Sequence, residues 1–414
     1  MVALKIIAFG LRGASAAAKF LLVMYVAFMG ASALLGQVAI IATIVALFTQ
    51  VAGLEVNRVV GRRLHGLSSE ELILTLRGQA AACLGAYAIL IPIVFLVYPE
   101  LLFTHWFCVG LILILEHFIT EVYRLNILLL RPVFASCLLF VKNAGWVILF
   151  VALTAAKQVP MTFALLLYCW AGVLVLTAAP LIMMAWSHDN QHVATKISAA
   201  FHNAPGLVKE AFPFIASAVL TASIGAMDKL VIGKYFPISE IGIFFFFSTC
   251  ASILTLIVTF SVGATSGPEC IKVHTMQGQE AFFVRLQHLK RQYWTVILAT
   301  TILILAFAYP LLALLTKQSY ANNFDVLVLL VVSAGFVALC DPYKLEEYLS
   351  KRDISLLIGN AFHMISLIVA VTIGVQMSEI DVVATGVMLS SITTFFFFYV
   401  QGPRRVALWL QLQQ

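Results

Sequence analysis

Three cations pose the first chemical question. Lys5, Arg12 and Lys19 stand seven residues apart in an otherwise apolar opening, KIIAFGLRGASAAAKFLLVMYVAFMG. At ~100° per residue, seven residues bring a side chain back to within about 20° of its starting direction, so the three share one helix face. At 1.5 Å per residue they extend over ~21 Å of depth. A charge at the centre of a bilayer costs ~2.5–3.5 kcal/mol even on a lenient insertion scale, and such residues are usually functional. Lys5 and Lys19 are close enough to the ends to snorkel, whereas Arg12 is too central. Cations at graded depths suit the pairing of an anion that must pass through hydrocarbon. The small run Gly13–Ala18 on the same helix suits a surface that lines a cavity or packs closely.

Other charges fall within apolar blocks. Arg77, Lys142, Lys209 and Lys229 add to the cations, and Glu55, Glu116, Glu121, Asp228 and Asp341 are the acids. Lys5, Arg12, Lys19, Arg77, Lys142 and Lys209 form the expected cationic binding set, although Arg77 and Lys209 are also placed to snorkel. Glu116 and the adjacent Asp228 and Lys229 are the expected gating or coupling groups. In EHFITEVYR, the spacing of His117, Glu121 and Arg124 suits a salt-bridged helix face, or more sharply a proton or gating relay. A rival account makes Arg12 the structural partner of Glu116.

These residues need long helices to carry them. The chain of 414 residues is 62% hydrophobic and 11% charged, with mean hydropathy +1.02. In lipid only helices and closed barrels satisfy their own backbone. Continuous apolar blocks, rather than the alternation of barrel strands, select helices. Twelve spans are expected, at roughly 4–29, 33–56, 72–97, 101–121, 132–154, 161–186, 207–232, 239–263, 291–316, 324–343, 354–376 and 380–400. With the N-terminus inside, alternate loops carry fifteen Lys and Arg on one side against Lys157, Lys234 and Lys317 on the other. That bias places both termini in the cytoplasm. The net charge of +6 is then largely topology and implies no nucleic-acid partner.

The polar break SHDNQHVATKISAAFHNAPG divides the chain into a lobe at 1–186, a cytoplasmic linker at 187–206, a lobe at 207–400 and a tail at 401–414. Residues 32–54 align with 238–260, setting Gly36 over Gly242, and the loops that follow also correspond. Both halves start inside, so the expected fold class is an all-α polytopic membrane protein of two six-helix bundles. A pseudo-twofold along the membrane normal would relate them. The seven cysteines form no CxxC or metal-spaced cluster and read as buried and reduced, with Cys270 in a cytoplasmic loop. No GxSxG, HExxH or P-loop motif occurs, so neither an enzyme nor a chain with its own ATPase is expected, and no cofactor or metal.

The segment KEAFPFIASAVLTASIGAMDKLVIGKYFPISEIGIFFFFSTCASIL, with Pro213, Asp228-Lys229 and Ser239-Glu240-Ile241-Gly242, resembles the centre of Wzx-type polysaccharide flippases. Leu34-Leu35-Gly36 and Gly53-Leu54 repeat the pattern in the first half. These flippases belong to the multidrug/oligosaccharidyl-lipid/polysaccharide (MOP) exporter superfamily. The resemblance implies two bundles around a cavity and a bacterial inner-membrane location. It also implies translocation of undecaprenyl-pyrophosphate-linked oligosaccharide to the periplasmic leaflet, coupled to H⁺ or Na⁺. A polysaccharide polymerase and a chain-length regulator are the implied protein partners, in O-antigen or lipopolysaccharide biosynthesis. The rival within the superfamily is an H⁺- or Na⁺-coupled small-molecule exporter, which would be expected to hold acids in its cavity. A membrane glycan polymerase, the rival of another class, would need a large outer loop.

Overall fold

The computed structural model describes residues 2–56, 69–129, 131–156, 159–187, 193–314, 318–350 and 352–412. Among them every regular element is helical. The helices that carry the spans are α1 (Val2–Phe28), α2 (Ser32–Ala52), α3 (Ser69–Val97), α4 (Trp106–Leu128), α5 (Pro132–Ala155) and α6 (Phe163–Ser187). They continue with α7 (Val193–Tyr235), α8 (Ile238–Gly263), α9 (Gln279–Leu314), α10 (Phe324–Leu349), α11 (Asp353–Met377) and α12 (Ile380–Leu412). All twelve expected spans are present. The chain is an all-α polytopic membrane protein.

The helix ends follow from local chemistry. Pro132 opens α5 at a position where its missing N–H costs nothing. Gly278, at φ +86°, separates the helix Ala264–Gln277 from α9. Leu54 and Glu55 both take positive φ where α2 ends. Large apolar side chains such as Leu96, Leu176 and Ile354 are at least 74% exposed, as a lipid-facing surface requires.

Several edges differ from the sequence expectation. Residues 193–206 of the expected linker are helical and belong to α7, and residues 401–412 of the expected tail continue α12. The ninth span begins at Gln279 rather than 291, because the amphipathic run after Gly278 joins its apolar continuation without a break. Cys270 lies in the helix Ala264–Gln277, not in a loop, and is fully buried. Burial raises its thiol pKa. Cys137, by contrast, is exposed.

The chain divides into two compact units, residues 1–25 with 40–222 and residues 26–39 with 223–414. In the first, α1 and α5 run parallel. Arg12 meets Ser136, Ser15 meets Leu139 and Asn143, and Tyr25 meets Thr154, so partner numbers rise together. In the same unit α3 and α4 are antiparallel, with Gln79 on Glu121 and Tyr87 on His117. The second unit holds the aligned segments of the internal repeat against each other. A Cβ on Gly36 would collide with the Ile238 carbonyl, and one on Gly242 with the Ser32 carbonyl. Residues four apart on one helix thus meet the equivalent residues on the other, in a reciprocal backbone contact that only glycine permits.

Gly36→Val or Gly242→Val should therefore cost more than the ~1–3 kcal/mol usual for overpacking, because backbone cannot yield as a side chain can. The folded fraction of a fluorescently tagged chain on size exclusion should fall several-fold. Gly85→Ala, where a Cβ would meet nothing within 4 Å, should leave it unchanged.

Candidate functional site

The first unit contains a layer of charge built from four helices. The Lys142 ammonium pairs directly with Glu116 and donates to Thr120 Oγ1 at 2.9 Å. Trp170 Nε1 donates to the other carboxylate oxygen of Glu116 at 2.8 Å. Trp170 in turn stacks on Trp146, with ring centroids 4.7 Å apart and planes 12° from parallel. Lys142 and Glu116 are 8% and 4% exposed, so this is a buried ion pair whose two ends are both hydrogen-bonded. Such completion is what makes a buried pair tolerable, since desolvation of either ion alone is expensive.

The backbone beneath Lys142 is unusual. Residues Val141–Gly145 form a π-helical turn within α5. Single π turns are commonly found at functional sites. Here it carries Lys142 toward Glu116 and Asn143 toward Ser15 Oγ of α1, at 3.0 Å.

Helix α1 lies beside this layer. Arg12 donates Nε to Ser136 Oγ at 3.1 Å and is half-buried. Among the described residues no carboxylate lies within ion-pair distance of it, so the terminal amino groups of the guanidinium keep their donors. Lys19 is exposed on the unit's surface yet within electrostatic range of both Glu116 and Lys142. Lys142 thus pairs with Glu116 and Lys19 lies within electrostatic range of both, while Arg12 is held at Ser136. The rival pairing of Arg12 with Glu116 does not occur, because Lys142 occupies Glu116.

A second polar layer lies one turn along α4. Arg124 pairs with Glu121 at 2.8 Å, donates to Gln50 Oε1 at 2.9 Å and reaches Glu55 at 3.9 Å. Gln79 donates to Glu121 at 2.6 Å. Tyr87 and His117 Nδ1 are 2.5 Å apart, and the opposite ring nitrogen lies 3.8 Å from Glu121. Gly53 covers the group closely, since a Cβ there would stand 3.1 Å from both His117 and Glu121. The i, i+3 ion pair of the expected helix face is present, while His117 turns to a neighbouring helix.

The remaining expected residues are dispersed. Arg77 is half-buried on α3, and Lys209 is exposed on α7. Asp228 and Lys229 sit in the second unit and neutralise each other, ammonium to carboxylate at 3.2 Å, with the Lys229 amide donating to Asp228 at 2.8 Å. Lys5 lies on α1, its side chain outside the described residues. Sequence reasoning missed Trp170, Trp146, Thr120, Ser136, Gln79 and Tyr87. It also missed the pair of Lys290 with Glu346 at 2.8 Å, where the ammonium lies 4.1 Å over the Tyr343 ring. A buried indole donor needs an acceptor, but Glu116 lies 54 residues from Trp170 on another helix, so nothing in the sequence signals that pairing.

Arg124→Gln should strand two mostly buried carboxylates and cost roughly 3–5 kcal/mol. Gln50→Ala removes a single hydrogen bond and should cost about 0.5–1.5 kcal/mol. Thermal unfolding of the two purified variants should show that order and a clear gap.

The architecture is that of a polytopic all-α membrane protein, and solved structures carry the same fold. A multidrug resistance MATE family transporter of the MOP superfamily, in an inward-facing conformation, superimposes with TM-score 0.61 and 14% identity over 95% of both chains. The lipid II flippase MurJ, in an inward closed conformation, superimposes with TM-score 0.68 and 13% identity, covering 97% of this chain and 87% of that one. No family model matches the sequence, and no curated protein does.

Proposed function

We propose that this chain is a Wzx-type flippase. It would carry an undecaprenyl-pyrophosphate-linked oligosaccharide from the cytoplasmic to the periplasmic leaflet of a bacterial inner membrane, by alternating access coupled to H⁺ or Na⁺. The observation that carries this reading is the set of cations in the first unit: Lys142 paired with Glu116, Lys19 within electrostatic range of both, and Arg12 held to the helix of Lys142 through Ser136. A diphosphate brings several negative charges into hydrocarbon and needs partners there. The fold likeness to MurJ, a lipid II flippase, supports a lipid-linked substrate. The likeness to a multidrug resistance MATE transporter supports the second reading, a small-molecule exporter. Cationic drugs would be repelled by this layer, so the exporter reading suits anionic cargo only.

Arg12 is the residue on which the reading turns. Its guanidinium offers a planar fork to phosphate oxygens, where Lys offers a point charge. Arg12→Ala should abolish surface glycan at unchanged protein level, and Arg12→Lys should keep part of it. A charge-assisted hydrogen bond is worth ~1.5–3 kcal/mol, so substrate binding should weaken roughly 10–150-fold. Normal glycan display by a well-expressed Arg12→Ala protein would refute the reading.

Orientation is testable separately. Because Cys270 is buried, a thiol introduced nearby is the better reporter. Met276 is 72% exposed on the same helix. Met276→Cys should react with a membrane-impermeant maleimide only after the inner membrane is opened. Labelling in cells with that membrane intact would reverse the topology.

A further inference from the structure

Resting on the anion-binding reading above, we propose that Glu116 is a resident counter-anion that a phosphate group must displace from Lys142, which sets a charge threshold for the cargo. Lys142 is the most enclosed of the three cations, and its ammonium is satisfied by Glu116 and Thr120. An anion reaching it meets a competitor already in place. Glu116 cannot follow Lys142 away, because Trp170 Nε1 holds its second oxygen and the stack on Trp146 holds Trp170. Lys142, in contrast, stands on a π turn, where the helical hydrogen-bond ladder is already interrupted. The cation is therefore the partner built to move, and the carboxylate the partner built to stay.

Specificity follows from the cost of this exchange. Taking Lys142 leaves Glu116 without its cation in a buried site, and a weakly charged ligand returns too little to offset that. A multiply charged diphosphate, which brings more charge to Lys142, returns more. A penalty imposed on the wrong ligand discriminates as effectively as an added contact to the right one. Thr120, which donates its own hydroxyl to the Glu116 carbonyl at 2.7 Å, keeps a fixed acceptor to which Lys142 returns.

The test uses the purified full-length chain in nanodiscs, with inorganic pyrophosphate and orthophosphate as probes. Binding is read from the rise in thermal unfolding midpoint with ligand and from Trp fluorescence. Glu116→Gln keeps the size and the acceptor for Trp170 while removing the charge. It should bind pyrophosphate about 10-fold more tightly than the wild type, and its preference for pyrophosphate over orthophosphate should shrink several-fold. Glu116→Asp, which shortens the reach to Lys142, should fall between the two. The gain should vanish in the Glu116→Gln/Lys142→Gln double variant, in which no buried charge is left alone. Unchanged or weaker pyrophosphate binding in Glu116→Gln would overturn the proposal. So would persistence of the gain without Lys142. Failure of both single variants to fold, with the double variant folded, would make Glu116 a structural counter-ion only and overturn it equally. None of these readouts needs a glycan lipid, so the proposal can fail while glycan display still depends on Arg12, and the reverse.

Discussion

A buried ion is tolerated in hydrocarbon only when its partners are fixed, and the Lys142–Glu116 pair is where this chain meets that constraint most fully. Two charges, a hydroxyl, an indole and a second indole stacked behind it come from α4, α5 and α6. Removing any one leaves a desolvated group, so the three helices are committed to one register. Helix α1 is then fastened to α5 by hydrogen bonds of Ser15 with Leu139 and Asn143 and of the Arg12 Nε with Ser136. Arg12 uses only Nε in this contact, so its terminal amino groups keep their donors.

The two polar layers of the first unit differ in balance. Around Arg124 the acids Glu121 and Glu55 and the amides Gln50 and Gln79 satisfy one another, with little exposed. Around Glu116 cations outnumber the acid. The layer around Arg124 ties α2, α3 and α4 together, and the pair of Lys142 with Glu116 ties α5 to α4. Both lie within one compact unit and are joined through α4, which carries Glu116 and Glu121.

The spans were legible from the sequence because lipid imposes a length and a composition that any window of about 20 residues reveals. The partners were not, because pairing depends on which helices touch. Lys142 and Glu116 are 26 positions apart on antiparallel neighbours, and nothing in their separation distinguishes that pairing from Arg12 with Glu116. Cys270 shows the same limit: a polar stretch reads as a loop, whereas the chain folds it into a helix whose inner face is covered. Gly36 and Gly242, set over each other by alignment, make a reciprocal contact that explains why glycine stands at both places. Arg77 and Lys209 are grouped with the other cations by type, and residue type carries no information about azimuth across different helices.

The π turn at Val141–Gly145 also fixes how α5 can change in length. It contains one residue more than an α-helical path of the same rise. Deleting a residue there would close the turn into regular helix without breaking the span, and the flanking halves would keep Ser136 toward Arg12 and Thr154 toward Tyr25. What the deletion would disturb is the turn itself, where Lys142 reaches Glu116 and Asn143 reaches Ser15. The segment is thus an insertion whose loss the span would absorb and the buried ion pair would not.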